Sequence, residues 1–341
     1  NEDDIAAGNG NEQKGEAYLT LNLVGSDNGA SRTQPGQGTE EGLSDPNENA
    51  INSVMVLLAD ESGNITSYTP ALTTIEGVRT TDRIPMGTGT YEVYVIANPP
   101  QDYTAPTTKT ALTTTATIDN ISATTMGTYA GSGSFLMFSA CHGTNQTDGV
   151  EVEVTSANTY DDPATATVQL DRLAAKITYD AADLDFEDAQ KMFGDNTTLT
   201  NVAITGFALV NGVTKSYLQQ HWSKDAATAI NDQATPPATA LEFENTLITP
   251  AVTNNSATDF YNRWEEYSTI TPNPDKDGWY SSVVDLTVDK ENVFTTKPLY
   301  CMENNSGSTK ENCFIDNVTD LNGNTTGVLF KAKATITGSD G

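Results

Sequence analysis

Apolar residues in this 341-residue chain recur at every second position in short runs separated by Gly, Asn, Pro and Asp. That is the period of half-buried β-strands, because successive side chains on a strand point to opposite faces. The first run covers residues 18–24, with Leu19, Leu21 and Leu23 on one face and Tyr18, Thr20 and Asn22 on the other. Residues 51–58 predict a second strand, and 60–64 a turn that sends the chain back through 65–68. Residues 91–98 are β-branched and aromatic and stop at Pro99-Pro100, which fits a central strand. The threonine-rich stretch 107–125 reads as strand or extended loop, and 135–138 as a short buried strand. Residues 150–154 alternate, with Glu151 and Glu153 on the wet face.

The polar stretch 156–165, with Asp161-Asp162-Pro163, is where a domain boundary is expected. Residues 168–179 then predict a long strand with an irregularity near Asp171. Residues 183–193, ended by Gly194, predict a short helix. Further strands are expected at 201–209, 282–288, 298–302 and 328–337. The pattern predicts an all-β protein of two tandem β-sandwiches, spanning 16–160 and 165–341, after a flexible tether at 1–15.

Hydrophobicity collapses right after the first strand. Residues 25–38 are built from Gly, Ser, Asn, Asp, Gln and Pro, which favour turns and open coil. Between Lys14 and Arg79 the only cationic side chain is Arg32, so a protease that cuts after basic residues has one choice there.

A formal charge of -29 argues against general affinity for nucleic acid or anionic lipid, since both would be repelled. No run of about 18 apolar residues is present to span a bilayer as a helix, and no signal peptide is visible in the sequence. Three cysteines are too few for a disulfide-built fold. Cys301 and Cys313 flank a Gly- and Asn-rich loop and either pair across a hairpin or stay as two thiols.

The two histidines, His142 and His221, lie in different expected domains, and Cys141-His142 point to opposite faces if on a strand. No nucleophile elbow, phosphate loop or zinc-protease helix motif occurs, so neither an enzyme nor a cofactor is expected. Residues 273–278 approach the start of a calcium loop, but Val284 stands where a bidentate glutamate is needed, so an ordinary turn is expected. Phe260, Trp264 and Tyr267 sit at helical spacing and, with Trp279 and Tyr280, are either core or a platform for sugar rings.

Several segments in order carry a family resemblance. They are Ala17-Tyr18-Leu19-Thr20-Leu21 with Gly29-Ala30-Ser31-Arg32 after it, Tyr94-Val95-Ile96-Ala97-Asn98, Phe135-Leu136-Met137-Phe138-Ser139-Ala140-Cys141, Leu173-Ala174-Ala175-Lys176-Ile177, Leu299-Tyr300-Cys301-Met302-Glu303-Asn304 and Thr326-Gly327-Val328-Leu329-Phe330-Lys331-Ala332. With these the chain resembles the major fimbrial subunits, the fimbrillins or type V pilins, of oral and gut Gram-negative anaerobes. The resemblance implies tandem β-sandwiches of transthyretin-like, Greek-key type and export as a lipoprotein to the outer membrane and fimbrium. It also implies cleavage by an arginine-specific protease in the loop after the first strand, and insertion of another pilin subunit's strand into the groove left behind. Carried over, Arg32 is the cut site and the strand with Tyr18, Leu19, Leu21 and Leu23 the removable segment. Glu2-Asp3-Asp4 resembles a surface-export signal. Family chains typically continue past the strand ending near Thr337, so the segment that donates to a neighbour is expected either to lie outside this sequence or to be supplied differently.

Two functions follow. The first is a structural subunit polymerising by strand exchange. The second is a surface or tip adhesin holding glycan or host protein through Trp264, Trp279 and Tyr280. In a third alternative the first strand is a permanent edge strand and Arg32 an idle loop residue.

Overall fold

The computed structural model describes residues 17–25, 46–131, 133–139, 148–177, 197–219, 221–223, 246–248, 260–262, 284–285, 299–302 and 326–338. These residues form an all-β architecture with few, short helices. The first half holds β1 (Ala17–Gly25), a 3-10 turn (Pro46–Asn49), β2 (Val54–Ala59), β3 (Ile65–Tyr68), β4 (Leu72–Ile75), β5 (Val78–Thr81), β6 (Ile84–Met86) and β7 (Gly89–Ala97). It continues with α1 (Lys109–Thr114), β8 (Thr117–Ile118), α2 (Met126–Tyr129), β9 (Met137–Ser139), β10 (Val150–Val154), β11 (Ala164–Arg172) and β12 (Ala174–Ile177). Beyond them lie β13 (Thr197–Val210), β14 (Gly212–Val213), β15 (Ser216–Tyr217), β16 (His221–Ser223), β17 (Thr246–Ile248), β18 (Phe260–Tyr261), β19 (Val284–Asp285), β20 (Leu299–Met302) and β21 (Gly327–Gly338).

One ten-stranded sheet dominates, in the order β3-β2-β7-β9-β11-β1-β5-β4, with β10 added to β7 and β6 to β1. Its two terminal strands, β3 and β4, are consecutive in the chain and joined only by residues 69–71. A linker that short reaches roughly 14 Å when fully extended. The sheet therefore curls until its ends approach each other, and its inner face closes around a core. Leu19, Leu21, Leu57, Tyr94, Ile96, Phe138, Val168 and Leu170 all point into that core and are fully or almost fully buried.

The sheet runs past the boundary expected at 156–165. β11 pairs with β1 and with β9, so the first unit continues through Arg172. The irregularity expected near Asp171 is a change of sheet: β11 ends at Arg172, the Leu173 N–H bonds the Leu136 carbonyl at 3.0 Å, and β12 leaves to pair with β20. Parts of the later chain pack on the first unit. Val213, Leu218 and Met302 belong to the same hydrophobic cluster as β1 and β7, and β15 pairs with β8.

The threonine-rich stretch 107–125 holds the short helix α1 as well as the two-residue strand β8. Thr108 caps α1 by accepting the Ala111 N–H, and the hydroxyls of Thr113 and Thr114 donate back to the carbonyls four residues earlier at 2.9 and 2.6 Å. Such back-bonding lets threonines sit in a short helix whose buried face carries Leu112. Strands β4, β5 and β6 were not foreseen either. Glu76 and Gly77, at φ 50° and 86°, form the tight turn of the β4–β5 hairpin, a backbone shape that glycine adopts without strain.

In the later half β13 and β21 form a long antiparallel pair with register shifts at Leu199/Asn201 and Ile204/Gly206. Both strands, together with β20, fall where the alternation predicts them. The helix expected at 183–193 lies outside the described residues.

Candidate functional site

The slot occupied by β1 is the candidate site. β1 is an interior strand, flanked by β11 on one side and by β5 and β6 on the other. Its pairing with β11 is parallel, with Leu19 opposite Ala164, Leu21 opposite Ala166 and Leu23 opposite Val168. Ala17, Leu19 and Leu21 are wholly buried, and Leu23 is 3% exposed. Burying the three leucines contributes roughly 5 to 9 kcal/mol at about 1.5 to 3 each.

The opposite edge of β1 is held by two short strands rather than one. β6 pairs with Ala17–Leu19 and β5 with Asn22 and Leu23. At the break between them the Leu21 N–H donates to Oγ1 of Thr81 at 2.9 Å. Thr81 is buried, so its hydroxyl replaces the ladder acceptor that no strand supplies there.

The N-terminal end of β1 is clasped by the loop before β11. The Tyr18 N–H donates to the Asn158 carbonyl at 2.9 Å. The Tyr18 ring meets Tyr160 edge-on with centroids 5.4 Å apart. The Arg83 guanidinium lies over the Tyr160 ring, 4.5 Å from its centroid, and donates from Nε to its carbonyl at 2.6 Å.

Two charged groups brace the surrounding sheet. On β7, Glu92 accepts from Lys109 Nζ at 2.6 and 2.8 Å, from the Tyr94 hydroxyl at 3.0 Å and from the Gly149 N–H at 3.0 Å. Burial pushes the Glu92 carboxyl up, but the bonds from Lys109, Gly149 and Tyr94 together with the lysine charge outweigh it and hold the group below the usual carboxylate range. Burial likewise pulls Lys109 down, and Glu92 and Asp148 more than restore it, leaving its ammonium above the ordinary lysine value.

The second group is Glu48, in the 3-10 turn before β2. Its carboxylate is buried and accepts from Lys176 Nζ and from the Tyr300 hydroxyl, each at 2.6 Å, with Arg172 Nη1 3.6 Å away. Nothing in the spacing of these residues along the chain announces the cluster.

Of the residues singled out from sequence, Tyr18, Leu19, Leu21 and Leu23 come together in β1. Arg32, Cys313, Trp264, Tyr267, Trp279, Tyr280, Cys141, His142 and residues 273–278 lie outside the described residues. Cys301 is a buried thiol on β20. Phe260 lies on β18, paired with β14, and so takes part in a strand rather than a helix. Val284 and His221 lie on β19 and β16. Among the described residues no group of three or more His, Cys, Asp or Glu is placed to hold a metal ion, and no helix is long and apolar enough to cross a membrane.

The model of the family described as "Major fimbrial subunit protein (FimA)" matches residues 17–172. The match starts on the first residue of β1 and ends on the last of β11, the two strands paired in parallel. Over these residues, a little under half of its length, the chain is similar to the major fimbrial subunit family. Comparison with curated protein sequences returns no match.

Among solved structures the chain is similar to a protein of Parabacteroides distasonis named for cell adhesion, at 14% identity over 95% of this chain and 80% of that one, with a TM-score of 0.49. It is also similar to a fimbrilin of Porphyromonas gingivalis, at 11% identity over 93% of this chain and 81% of that one, with a TM-score of 0.43. A fimbrial assembly protein of Parabacteroides distasonis matches at 16% identity over 70% and 78% of the two chains, with a TM-score of 0.32.

Proposed function

We propose that this protein is a structural subunit of a cell-surface fimbria and that β1 is a placeholder exchanged for a strand of another subunit. The observation that carries this reading is the position of β1. It fills an interior slot with buried leucines, yet its covalent link to the 3-10 turn before β2 runs only through residues 26–45. One cut there leaves β1 held by non-covalent contacts alone. Its departure would expose an apolar groove and two open sheet edges, which accept a strand of the same alternation through main-chain hydrogen bonds.

Arg32 is the proposed cut site for an arginine-specific protease, other pilin subunits are the partners, and export as a lipoprotein delivers the protein to the surface. The similarity of residues 17–172 to the fimbrial subunit family supports assembly with like subunits.

Limited trypsin digestion, intact mass and native gels test the reading, with a labelled synthetic peptide of residues 17–25 as the incoming strand. A single early cut after Arg32, followed by uptake of the peptide and loss of β1, is the expected result. Arg32→Ala should take up none. A nicked wild-type chain that keeps β1 and excludes the peptide overturns strand exchange at this slot.

A further inference from the structure

The connection from β1 to β2 re-enters the described structure at an unusual point. Glu48, two residues into the 3-10 turn, places a buried carboxylate among donors from three remote segments: Lys176 on β12, Tyr300 on β20 and Arg172 at the end of β11. Arg172 also donates to Asn49 Oδ1 at 3.0 Å. A carboxylate taken out of water is costly unless its charge and lone pairs are met, and a cluster that meets them resists opening in parts.

The next residues are stapled from the other side. Asn98, at the end of β7 with φ 50°, accepts the Asn52 N–H at 2.9 Å and donates to the carbonyls of Ala50 and Phe135, each at 2.8 Å. Arg79 Nε donates to the Ile51 carbonyl at 2.9 Å.

We infer that residues 48–53 form a fixed post, held by Glu48 to β12 and β20 and by Asn98 to the end of β7 and to Phe135 ahead of β9. A break in the β1–β2 connection then loosens the chain in one direction only. The β1 side loses its tether, while the β2 side stays seated and keeps the groove wall formed by β2 and β7 in register. Glu48 and Asn98 are positioning residues in this scheme, since neither touches β1 in any contact described above. The post bears on strand exchange through the proposed role of β1, but its existence stands apart from that role.

The test uses the full chain with a site-specific protease sequence inserted within residues 33–40, intact and nicked, in wild type, Glu48→Gln and Asn98→Gly. Glutamine keeps the shape of Glu48 without its charge, and glycine keeps the backbone angle of Asn98 without its amide. Hydrogen exchange is read by mass spectrometry at residues 48–53. Nicking should leave wild-type protection within twofold of the intact chain, and should cost each variant at least tenfold. Loss of protection in nicked wild type overturns the post, as does equal protection in all three nicked chains. Should nicked wild type keep β1 while 48–53 stay protected, strand exchange fails and the post stands.

Discussion

The hydroxyl of Thr81 accepts the backbone N–H of Leu21 at 2.9 Å, in the break between the β6 and β5 ladders along β1. Removing that oxygen without changing shape leaves a buried donor without a partner, which costs about 1 to 3 kcal/mol. Thr81→Val should lose stability in that range by urea denaturation, and Thr81→Ser should recover most of it. Equal midpoints for wild type and Thr81→Val would show that water reaches the break.

Inward and outward positions of β1 should respond differently. Leu21 is wholly buried opposite Ala166, so Leu21→Ala should cost about 2 to 5 kcal/mol through lost transfer energy and the cavity left behind. Thr20 faces the other way, and Thr20→Ala should change stability by about 0.5 kcal/mol or less. Chemical denaturation of the pair checks the orientation of the strand. A similar loss from both would mean that the alternation does not set the face.

Period-2 alternation made β1, β2, β7, β10, β13 and β21 legible, because each carries its apolar residues on a single face or as an unbroken central run. The same rule missed β4, β5 and β6, whose threonines and short lengths give little hydrophobic contrast. It also misread the boundary. The polar stretch at 156–165 looked like a linker, yet it clasps the start of β1 through Asn158 and Tyr160 and turns the chain so that β11 lies parallel to β1. A parallel partnership between strands so far apart leaves no local trace in sequence. Glu48 was invisible for a similar reason, since its partners at 172, 176 and 300 converge only through the tertiary fold. The pairing of Lys109 with Glu92 was hidden as well, because α1 itself was read as strand or loop.

Stability should depend on pH through Glu92 and Lys109, with opposite signs at the two ends of the scale. The Glu92 carboxyl is lower in the fold than its usual 4.5, so its contribution is present above that value and lost as pH falls through the folded one. The Lys109 ammonium is higher than its usual 10.5, so its share is present below that value and lost as pH rises through the folded one. Both side chains are about a quarter exposed, which screens the pair and limits the effect to about 1 kcal/mol. Urea midpoints between pH 3 and 6 should fall less steeply with acid in Glu92→Gln than in wild type. Parallel curves would assign the acid sensitivity to other carboxylates.

Gly149 joins this network to the backbone of the sheet. Its N–H donates to Glu92 at 3.0 Å, and a Cβ at this position would stand 2.7 Å from the Val93 carbonyl oxygen and 2.9 Å from the Tyr94 ring. The carbonyl belongs to β7, which is paired on both sides and cannot move aside cheaply. In Gly149→Ala the start of β10 must therefore retreat from β7, at a cost of about 1 to 3 kcal/mol. That retreat also takes the N–H away from Glu92, so part of the penalty is already spent when the carboxylate is absent. The double variant Gly149→Ala, Glu92→Gln should be more stable than the sum of the single losses predicts, by about 0.5 kcal/mol or more. Strict additivity in a double-mutant cycle would mean that the added methyl fits without displacing β10.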